Sequence, residues 1–278
     1  MKFTKMHGTG NDYVFVDLSE ETVPEPAKTA VAVSQRHFSV GADGLILIGP
    51  SDVADVSMRI FNADGSEAEM CGNGVRCVAK YAYDHGLCHN KEMVVETIAG
   101  LRKIGVEVME GKVKGARVNM GEPGLLRKEI PMTGPAEERV VHESLNVDGE
   151  RFNMTCVSMG NPHCVIILDE LDAIDWRHIG PRIENHASFP ERTNVHFVEV
   201  KGKEEARVAT WERGSGETLA CGTGASAVCV ACHLEGETRR HLIAHLPGGD
   251  LDLEWSEDDN CVYMTGPAEE VYSGVWNE

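Results

Sequence analysis

The chain has 278 residues and a formal net charge of −19, and this acidity disfavours binding to nucleic acid or to an anionic membrane. A solvated, soluble surface is the simplest explanation of the charge. No apolar run reaches the roughly 18 residues of a membrane helix, and residues 1–5 lack a signal-peptide core. Nine cysteines, an odd number without dense spacing, favour a cytoplasmic protein with reduced thiols.

Strand-like patterns dominate the chain from end to end. In chain order the predicted strands cover residues 3–6, 13–17, 45–48, 56–62, 93–97, 104–109, 117–120, 164–168, 195–200, 206–212, 251–255, 261–265 and 270–276. Few of the segments between them are long enough for crossover helices. We therefore expect an α+β fold with mainly antiparallel sheets.

Two stretches 150 residues apart repeat one pattern, a cysteine directly before a Gly-x-Gly turn. They read Glu67-Ala-Glu-Met-Cys71-Gly72-Asn73-Gly74 and Glu217-Thr-Leu-Ala-Cys221-Gly222-Thr223-Gly224. After each turn, small or apolar residues follow with the spacing i, i+3, i+4, i+7 of a buried helical stripe. These residues are Val75, Val78, Ala79 and Ala82 in the first copy and Ala225, Val228, Cys229 and Cys232 in the second.

The long period indicates a duplicated domain, because solenoid repeats have units of roughly 20 to 50 residues. Gly121-Glu-Pro123-Gly124 interrupts the strand pattern near the middle of the chain. We predict an N-terminal half over residues 1–119, joined by a C-terminal strand from 266–278, and a second half over residues 120–265. Each half is expected to be a mainly antiparallel sheet around one central helix, and the two halves to be pseudo-symmetric.

The position of Cys71 and Cys221 indicates a catalytic role rather than core packing. A single buried cysteine is commonly an inert core residue, but these two precede glycines at a helix start, where amides and the helix dipole favour a thiolate. The same amides can hold a carboxylate, and Asn73 and Thr223 are expected to cap the helices. Two thiols in equivalent positions suit a two-base reaction with one thiol on each side of a substrate.

The other cysteines do not predict a metal site. Cys229 and Cys232 have the spacing of a redox or zinc motif, but they correspond to Ala79 and Ala82 in the first helix, which indicates core packing. Cys77 follows Cys71 by six residues, which is not a metal-ligand spacing. We therefore expect no metal.

Six fragments in order resemble the diaminopimelate epimerase family, over residues 1 to about 270. They are Met6-His-Gly-Thr-Gly-Asn-Asp12, Phe61-Asn-Ala-Asp-Gly-Ser66, Cys71-Gly-Asn-Gly-Val-Arg-Cys77, Gly160-Asn-Pro-His163, Thr193-Asn194, and Trp211-Glu-Arg-Gly214 leading into Ala220-Cys-Gly-Thr-Gly224. The resemblance implies a cofactor-independent epimerase that interconverts LL- and meso-2,6-diaminopimelate for lysine and peptidoglycan precursors. It also implies a bilobed homodimer with the active site in the cleft between the lobes.

The resemblance implies a role for each site residue. Cys71 and Cys221 are the proton donor and acceptor in one direction and exchange roles in the other, while His163 and Glu212 tune the thiols. The implied substrate-binding residues are Asn11, Asn62, Gly72, Asn73, Asn161, Asn194, Glu212, Arg213, Gly222 and Thr223. Among them, the Arg213 guanidinium suits bidentate binding of the distal carboxylate. Gly44 departs from the pattern, since some members carry a substrate-contacting glutamine there.

Two alternatives stay open at this point. Another cofactor-independent racemase of the same fold, of the proline or hydroxyproline type, would not need Arg213 and the asparagines to hold a second amino-acid head group. A thiol redox or binding protein would use Cys71 and Cys221 as a reversible disulfide, which requires Cα atoms within roughly 7 Å.

Overall fold

The computed structural model describes residues 1–277, so the last position of the predicted terminal segment 266–278 lies outside the described residues. The chain divides into two compact units. The first comprises Met1–Asn119 and the C-terminal segment from Thr265, and the second comprises Met120–Met264.

The first unit is a sheet with two helices. Its strands are β1 (Lys2–Gly8), β2 (Asn11–Asp17), β3 (Gly44–Gly49), β4 (Val56–Asn62), β5 (Glu67–Ala68), β6 (Glu92–Thr97), β7 (Gly100–Met109) and β8 (Lys112–Gly121), and its helices are α1 (Pro26–Ser34) and α2 (Gly72–Asp84). Most neighbouring strands pair antiparallel, but β2 pairs parallel with β3 and β4 pairs parallel with β6. Parallel neighbours need a crossover connection, and α1 and α2 supply one each.

The second unit repeats this order of elements. Its elements are β9 (Glu143–Val147), β10 (Glu150–Ser158), β11 (Pro162–Leu168), α3 (Trp176–Glu184), β12 (Asn194–Gly202), β13 (Glu205–Glu212), β14 (Gly216–Thr218), α4 (Gly222–Leu234), β15 (His241–Leu246) and β16 (Gly249–Trp255). The parallel pairs are β11 with β12 across α3, and β13 with β15 across α4. The chain then runs through β17 (Val262–Pro267) into β18 (Glu269–Val275), which pairs antiparallel with β1.

The predicted α+β class, dominated by strands and with few helices, is confirmed, but two short crossover helices were not predicted. Both α1 and α3 were missed, as were the strands at 143–147, 150–158 and 241–246. Each missed helix has only nine residues and carries a proline, at Pro26 in α1 and inside the helix at Pro181 in α3. Pro181 weakens the helical pattern inside α3, whereas Pro26 occupies the first position of α1, where proline is favoured. Nine residues are too few for either helix to be stable without packing against the sheet.

The two central helices bury the predicted stripes. Val75, Val78, Ala79 and Ala82 of α2 are fully buried, as are Ala225, Val228, Cys229 and Cys232 of α4. Full burial of a valine side chain stabilises a fold by about 1.5–3 kcal/mol, so these stripes anchor both helices to their sheets. Burial also raises the pKa of the Cys229 thiol to about 12, in keeping with a core position. No helix in residues 1–277 is long and apolar enough to cross a membrane.

Candidate active site

The first cysteine turn begins α2. Cys71 is the N-cap residue, and its Sγ accepts a hydrogen bond from the backbone N–H of Gly74 at 3.3 Å. The sulfur thus serves one of the N–H groups that have no partner inside the helix. The expectation that Asn73 caps this helix is wrong, because Asn73 is already its second residue.

Asn11 and Asn73 lie beside the Cys71 thiol. The thiol donates to Oδ1 of Asn11 at 3.3 Å, and Nδ2 of Asn73 donates to the same oxygen at 3.4 Å. On its other side, Asn11 donates from Nδ2 to the Asp43 carboxylate at 2.8 Å. Asp43 therefore fixes which end of the Asn11 amide faces the sulfur. Sequence reasoning missed this role, although Asp43 stands directly before the Gly44 departure.

Gly44 leaves no room for a side chain in this backbone. A Cβ built there would lie 2.2 Å from the carbonyl oxygen of Phe61 and 2.9 Å from the ring of Tyr13. Tyr13 is the parallel ladder partner of Gly44 and is buried. The negative charge of a Cys71 thiolate is the main cause that raises the pKa of the Tyr13 hydroxyl, followed by burial. Tyr13 thus lies beside the Cys71 thiol, and the sequence did not predict this contact.

Opposing effects act on the Cys71 thiol. Burial raises its pKa, while the amides of Gly74 and Asn73, the Tyr13 hydroxyl and the positive charge of Arg76 lower it, and the net change is upward. The Arg76 side chain is fully buried, and it donates to the carbonyl of Gly72 at 3.4 Å. The first turn therefore holds a permanent positive charge under a thiol that is mostly protonated at neutral pH.

Asn62 lies at the end of β4, opposite Gly44 in the ladder between β3 and β4. Its Nδ2 donates to Oγ of Ser66 at 3.0 Å, and its backbone N–H donates to the carbonyl of Ser66. The ladder places Asn62 two strands from Tyr13. The contacts of its side chain are those of a turn residue.

The second cysteine turn begins α4 in the same way. Cys221 is the N-cap, and its Sγ accepts from the backbone N–H of Gly224 at 3.4 Å. The hydroxyl of Thr223 lies 3.5 Å from the same sulfur, so Thr223 contacts the thiol but does not cap the helix. Gly222 is the first helical residue, and its N–H group points out of the start of the helix.

Asn194 and Arg213 come together at the ends of β12 and β13. Asn194 is buried, donates from Nδ2 to the carbonyl of Pro162 at 2.8 Å and accepts from the backbone N–H of Arg213 at 3.0 Å. The half-buried Arg213 side chain donates to the carbonyl of Glu191 at 3.1 Å. Asn194 thus fixes the backbone from which the Arg213 guanidinium extends.

Acidic side chains support this corner of the second unit. Thr218 donates to the Glu212 carboxylate at 2.6 Å, which joins the end of β13 to β14. The buried Glu184 accepts from the indole N–H of Trp211 at 2.8 Å and from the backbone N–H of Gly214 at 2.9 Å. Glu184 comes from α3, a helix that the sequence did not predict, so its role was missed as well.

His163 and Asn161 are hydrogen-bonded to each other. Nε2 of His163 lies 2.8 Å from Oδ1 of Asn161, and Nδ1 lies 2.9 Å from Nε2 of His196. Burial, and after it the nearby His196 and Arg213, hold the pKa of His163 well below its usual range. His163 is therefore a neutral ring with both nitrogens engaged.

Within residues 1–277, no group of three or more His, Cys, Asp or Glu side chains is placed to hold a metal ion. Among the described residues, each helix start holds a thiol close to amide groups, and the Arg76 guanidinium lies near the first thiol. Such a set suits proton transfer at a carbon next to a carboxylate.

Solved structures share this fold across nearly the whole chain. A Bacillus anthracis phenazine biosynthesis protein of the PhzF family superposes with a TM-score of 0.70 at 18% identity, covering 99% of this chain and 98% of that one. A probable proline racemase from Agrobacterium radiobacter gives 0.68 at 15% identity, covering 99% and 92%. A hydroxyproline epimerase from Agrobacterium vitis gives 0.67 at 14% identity, covering 99% and 90%. The chain thus has a fold found in amino-acid racemases and epimerases.

Sequence comparison narrows this class to one family. The diaminopimelate epimerase family matches residues 3–126 and 155–271. Diaminopimelate epimerases from Pelotomaculum thermopropionicum and Agathobacter rectalis are 55% and 53% identical, each over 99% of this chain and over 99% and 98% of their own lengths. The chain belongs to the diaminopimelate epimerase family, and the resemblance drawn from its motifs is confirmed.

Proposed function

We propose that this chain interconverts LL- and meso-2,6-diaminopimelate with Cys71 and Cys221 as its two proton-transfer groups. Family membership supports the substrate. The observation that carries the mechanism is the repeated turn, in which each cysteine sulfur is the N-cap of the central helix of its unit. Lysine and peptidoglycan-precursor synthesis is the pathway to which this reaction belongs.

The reaction removes a weakly acidic proton from an α-carbon and returns one to the opposite face. One base on each face does this without turning the substrate over. The pair needs one thiolate and one thiol, because two thiolates at one carbon would repel each other. The proposal therefore requires both sulfurs to reach the same α-carbon, and their titration belongs to the pair.

The helix starts are the proposed holders of the reacting carboxylate. The amides of Gly72 and Asn73 on α2 and of Gly222 and Thr223 on α4 lie at the positive ends of the helix dipoles. Negative charge grows on the carboxylate as the α-proton leaves, so fixed N–H donors stabilise the transition state more than the bound substrate. This stabilisation is what allows a thiolate, a weak base, to remove the proton.

The remaining predicted residues are proposed to recognise the rest of the substrate. The Arg213 guanidinium suits the distal carboxylate, with Asn194 holding the backbone of Arg213 in place. We assign Asn11, Asn62 and Asn161 to the amino and carboxylate groups of the substrate. His163 and Glu212 are proposed to set the electrostatics around the thiols.

We also propose that residues 1–119 with 266–278 and residues 120–265 are the two epimerase halves. The matching order of strands and helices in the two compact units supports this division. A homodimer in the cytoplasm is the proposed state of the protein, with the small-molecule substrate as its ligand and neither nucleic acid nor membrane as a partner. The excess of acidic residues supports the last point.

Proton NMR of LL-diaminopimelate in D2O with the reduced protein tests this function. We expect the α-proton signal to disappear at one centre while the meso isomer forms. Loss of signal without meso product would contradict a two-base reaction, and no exchange in folded, reduced protein would contradict the substrate. Proline and hydroxyproline, tested in the same way, are the controls for the alternative racemase.

A further inference from the structure

The second unit contains a buried pair of histidines of which only one has a proposed role. His163 on β11 and His196 on β12 are both fully buried, and Nδ1 of His163 lies 2.9 Å from Nε2 of His196. His163 is the parallel ladder partner of Asn194, and His196 follows Asn194 by two residues on the same face of β12. The ladder therefore places the two rings side by side.

Both ends of the pair are closed by polar side chains. Nε2 of His163 lies 2.8 Å from Oδ1 of Asn161, and Nδ1 of His196 lies 3.0 Å from the hydroxyl of Thr210. Thr210 is the antiparallel ladder partner of His196 on β13 and is also buried. The result is a chain of three hydrogen bonds through Thr210, His196, His163 and Asn161.

The donors and acceptors of these four side chains fix the direction in which the hydrogen bonds run. A neutral imidazole has one N–H donor and one acceptor, and an amide oxygen only accepts. His163 must therefore donate from Nε2 to Asn161 and accept at Nδ1. His196 in turn donates from Nε2 to His163 and accepts at Nδ1 from the Thr210 hydroxyl. Every donor then meets an acceptor.

Both rings stay neutral across the physiological pH range. Burial lowers the pKa of His196 to about 3, and burial, His196 and the Arg213 charge lower that of His163. A change of protonation therefore does not reverse the direction of these hydrogen bonds near neutral pH. The direction of the hydrogen bonds depends on the orientation of the Asn161 amide, because the Thr210 hydroxyl can donate or accept.

The His196 ring also contacts the start of α4, where the Cys221 thiol lies. A Cβ built on Gly224 would lie 2.1 Å from Cε1 of His196, so the ring occupies the space that any side chain at position 224 would need. The N–H of the same glycine donates to Sγ of Cys221 at 3.4 Å. His196 thus packs directly against the backbone that caps the Cys221 sulfur.

We propose that His196, oriented by Thr210, is a positioning residue that keeps the proton of His163 on Nε2. In that tautomer His163 binds Oδ1 of Asn161 and so directs the NH2 group of Asn161 towards the ligand. This inference rests on the proposed epimerase function, to which it adds a specific orientation of one substrate-binding amide. An amide turned the other way would offer its oxygen to the substrate instead.

Nitrogen NMR of the full chain labelled with ¹⁵N-histidine tests the tautomer without any turnover. We expect His163 and His196 each to show a protonated Nε2 and an unprotonated Nδ1, unchanged between about pH 5.5 and 8. A protonated Nδ1 on His163 would overturn the proposal. The rings are assigned from the signals that disappear in His196→Gln and His163→Gln.

Two buried threonines provide the matched variants. Thr210→Val removes the hydroxyl that orients His196, whereas the buried hydroxyl of Thr238 has no hydrogen-bond partner among residues 1–277. We expect Thr210→Val to shift the His163 nitrogen signals and to lower kcat about three- to tenfold, the effect of losing one hydrogen bond. Thr238→Val should leave both unchanged. Unchanged nitrogen signals in Thr210→Val would overturn the proposal.

Replacement of His196 separates positioning from packing. His196→Gln keeps a donor towards His163 and is expected to retain more activity than His196→Leu, which has none. Equal activity of the two folded variants would overturn the positioning role. If the unmodified protein shows the expected tautomer but does not turn over diaminopimelate, the epimerase function fails. If it turns over substrate with the proton of His163 on Nδ1, only this inference fails.

Discussion

The two cysteine turns share one backbone design but rest on different strands. In both, the cysteine sulfur accepts from the third residue of the helix, at 3.3 Å for Cys71 and 3.4 Å for Cys221. In both, the fifth helical residue donates to the carbonyl of the first glycine, through Arg76 at 3.4 Å and Ser226 at 2.9 Å. The same two hydrogen bonds are therefore present at both helix starts.

The strands beneath the turns differ in polarity. Ladder partners in the first unit are Tyr13 with Gly44 and Ile46 with Ile60. The equivalent pairs in the second unit are His163 with Asn194 and His196 with Thr210. The first unit thus has an apolar layer with one phenol where the second unit has a chain of hydrogen-bonded polar side chains.

The charge beneath the turns differs as well. A buried guanidinium, Arg76, lies under the first turn, and the neutral Ser226 stands at the equivalent place in the second. The Arg76 charge lowers the pKa of the Cys71 thiol, and the neutral Ser226 has no such charge to act on Cys221. The two turns thus share their backbone geometry at the thiol, while the side chains around the thiols differ.

Removal of either thiol tests whether the two turns are equal partners, and it carries the largest expected effect. Cys71→Ala and Cys221→Ala should each lower epimerisation by about 10²–10⁴-fold, the range for losing a general acid or base. The rate of meso formation measures this. Cys229→Ala, a buried cysteine on the stripe of α4, is the control that should retain activity. A single variant that epimerises at the full rate would break the symmetry of the two roles.

The glycines at the third helical position should respond differently. A Cβ on Gly224 would meet the His196 ring at 2.1 Å, whereas a Cβ on Gly74 would meet the flexible ends of Ile46 at 2.8 Å and Met58 at 3.0 Å. We expect Gly224→Ala to lower the free energy of unfolding by about 1–3 kcal/mol through overpacking. Gly74→Ala should cost less, because the ends of the Ile46 and Met58 side chains can move and the His196 ring cannot. Urea unfolding measures both, and the reverse order would contradict the comparison.

Tyr13 is a polar neighbour specific to the Cys71 turn. Its hydroxyl is among the groups that lower the pKa of Cys71, so Tyr13→Phe should raise that pKa further above the usual cysteine range. The rate of Cys71 alkylation at a fixed pH near 8 should therefore fall, and the acidic limb of the pH–rate profile should move to higher pH. Tyr81→Phe, on α2, is the matched control. An unchanged alkylation profile in Tyr13→Phe would exclude this contact.

The buried histidine pair should make the stability of the second unit sensitive to acid. The folded pKa values of His163 and His196 lie below the unfolded value, so the unfolded chain binds more protons. Their contribution to stability is complete above about pH 6.5 and is lost as pH falls below it, by up to about 1.4 kcal/mol per pH unit for each ring. Urea unfolding at several pH values measures the slope. His196→Gln should reduce it by one proton, and an unchanged slope would contradict a neutral buried His196.

Much of the fold was readable from sequence because its signals are local. Strand alternation, the helical stripes after Cys71 and Cys221 and the Gly-x-Gly turns depend on residues within a few positions of each other. The short helices α1 and α3 were not predicted, since a segment of only nine residues has little helical preference of its own. Their helical form depends on the sheets they cover.

The capping atom illustrates the limit of propensity. Asn73 and Thr223 belong to residue types that favour the N-cap, yet the cysteine before the glycines takes that place in both turns. A sulfur at the cap keeps the thiol within reach of the helix amides. Statistics for a residue type do not include such a requirement of the site.

The sequence by itself determined the duplication, the two helix starts and the family, because each is written in short segments of chain. Only the tertiary structure decided which side chain faces which sulfur. Asn11 meets the thiol of Cys71 across 60 residues, and His196 joins His163 across 33. Such contacts depend on strand register, and a shift of one residue in register turns every side chain to the other face of the sheet.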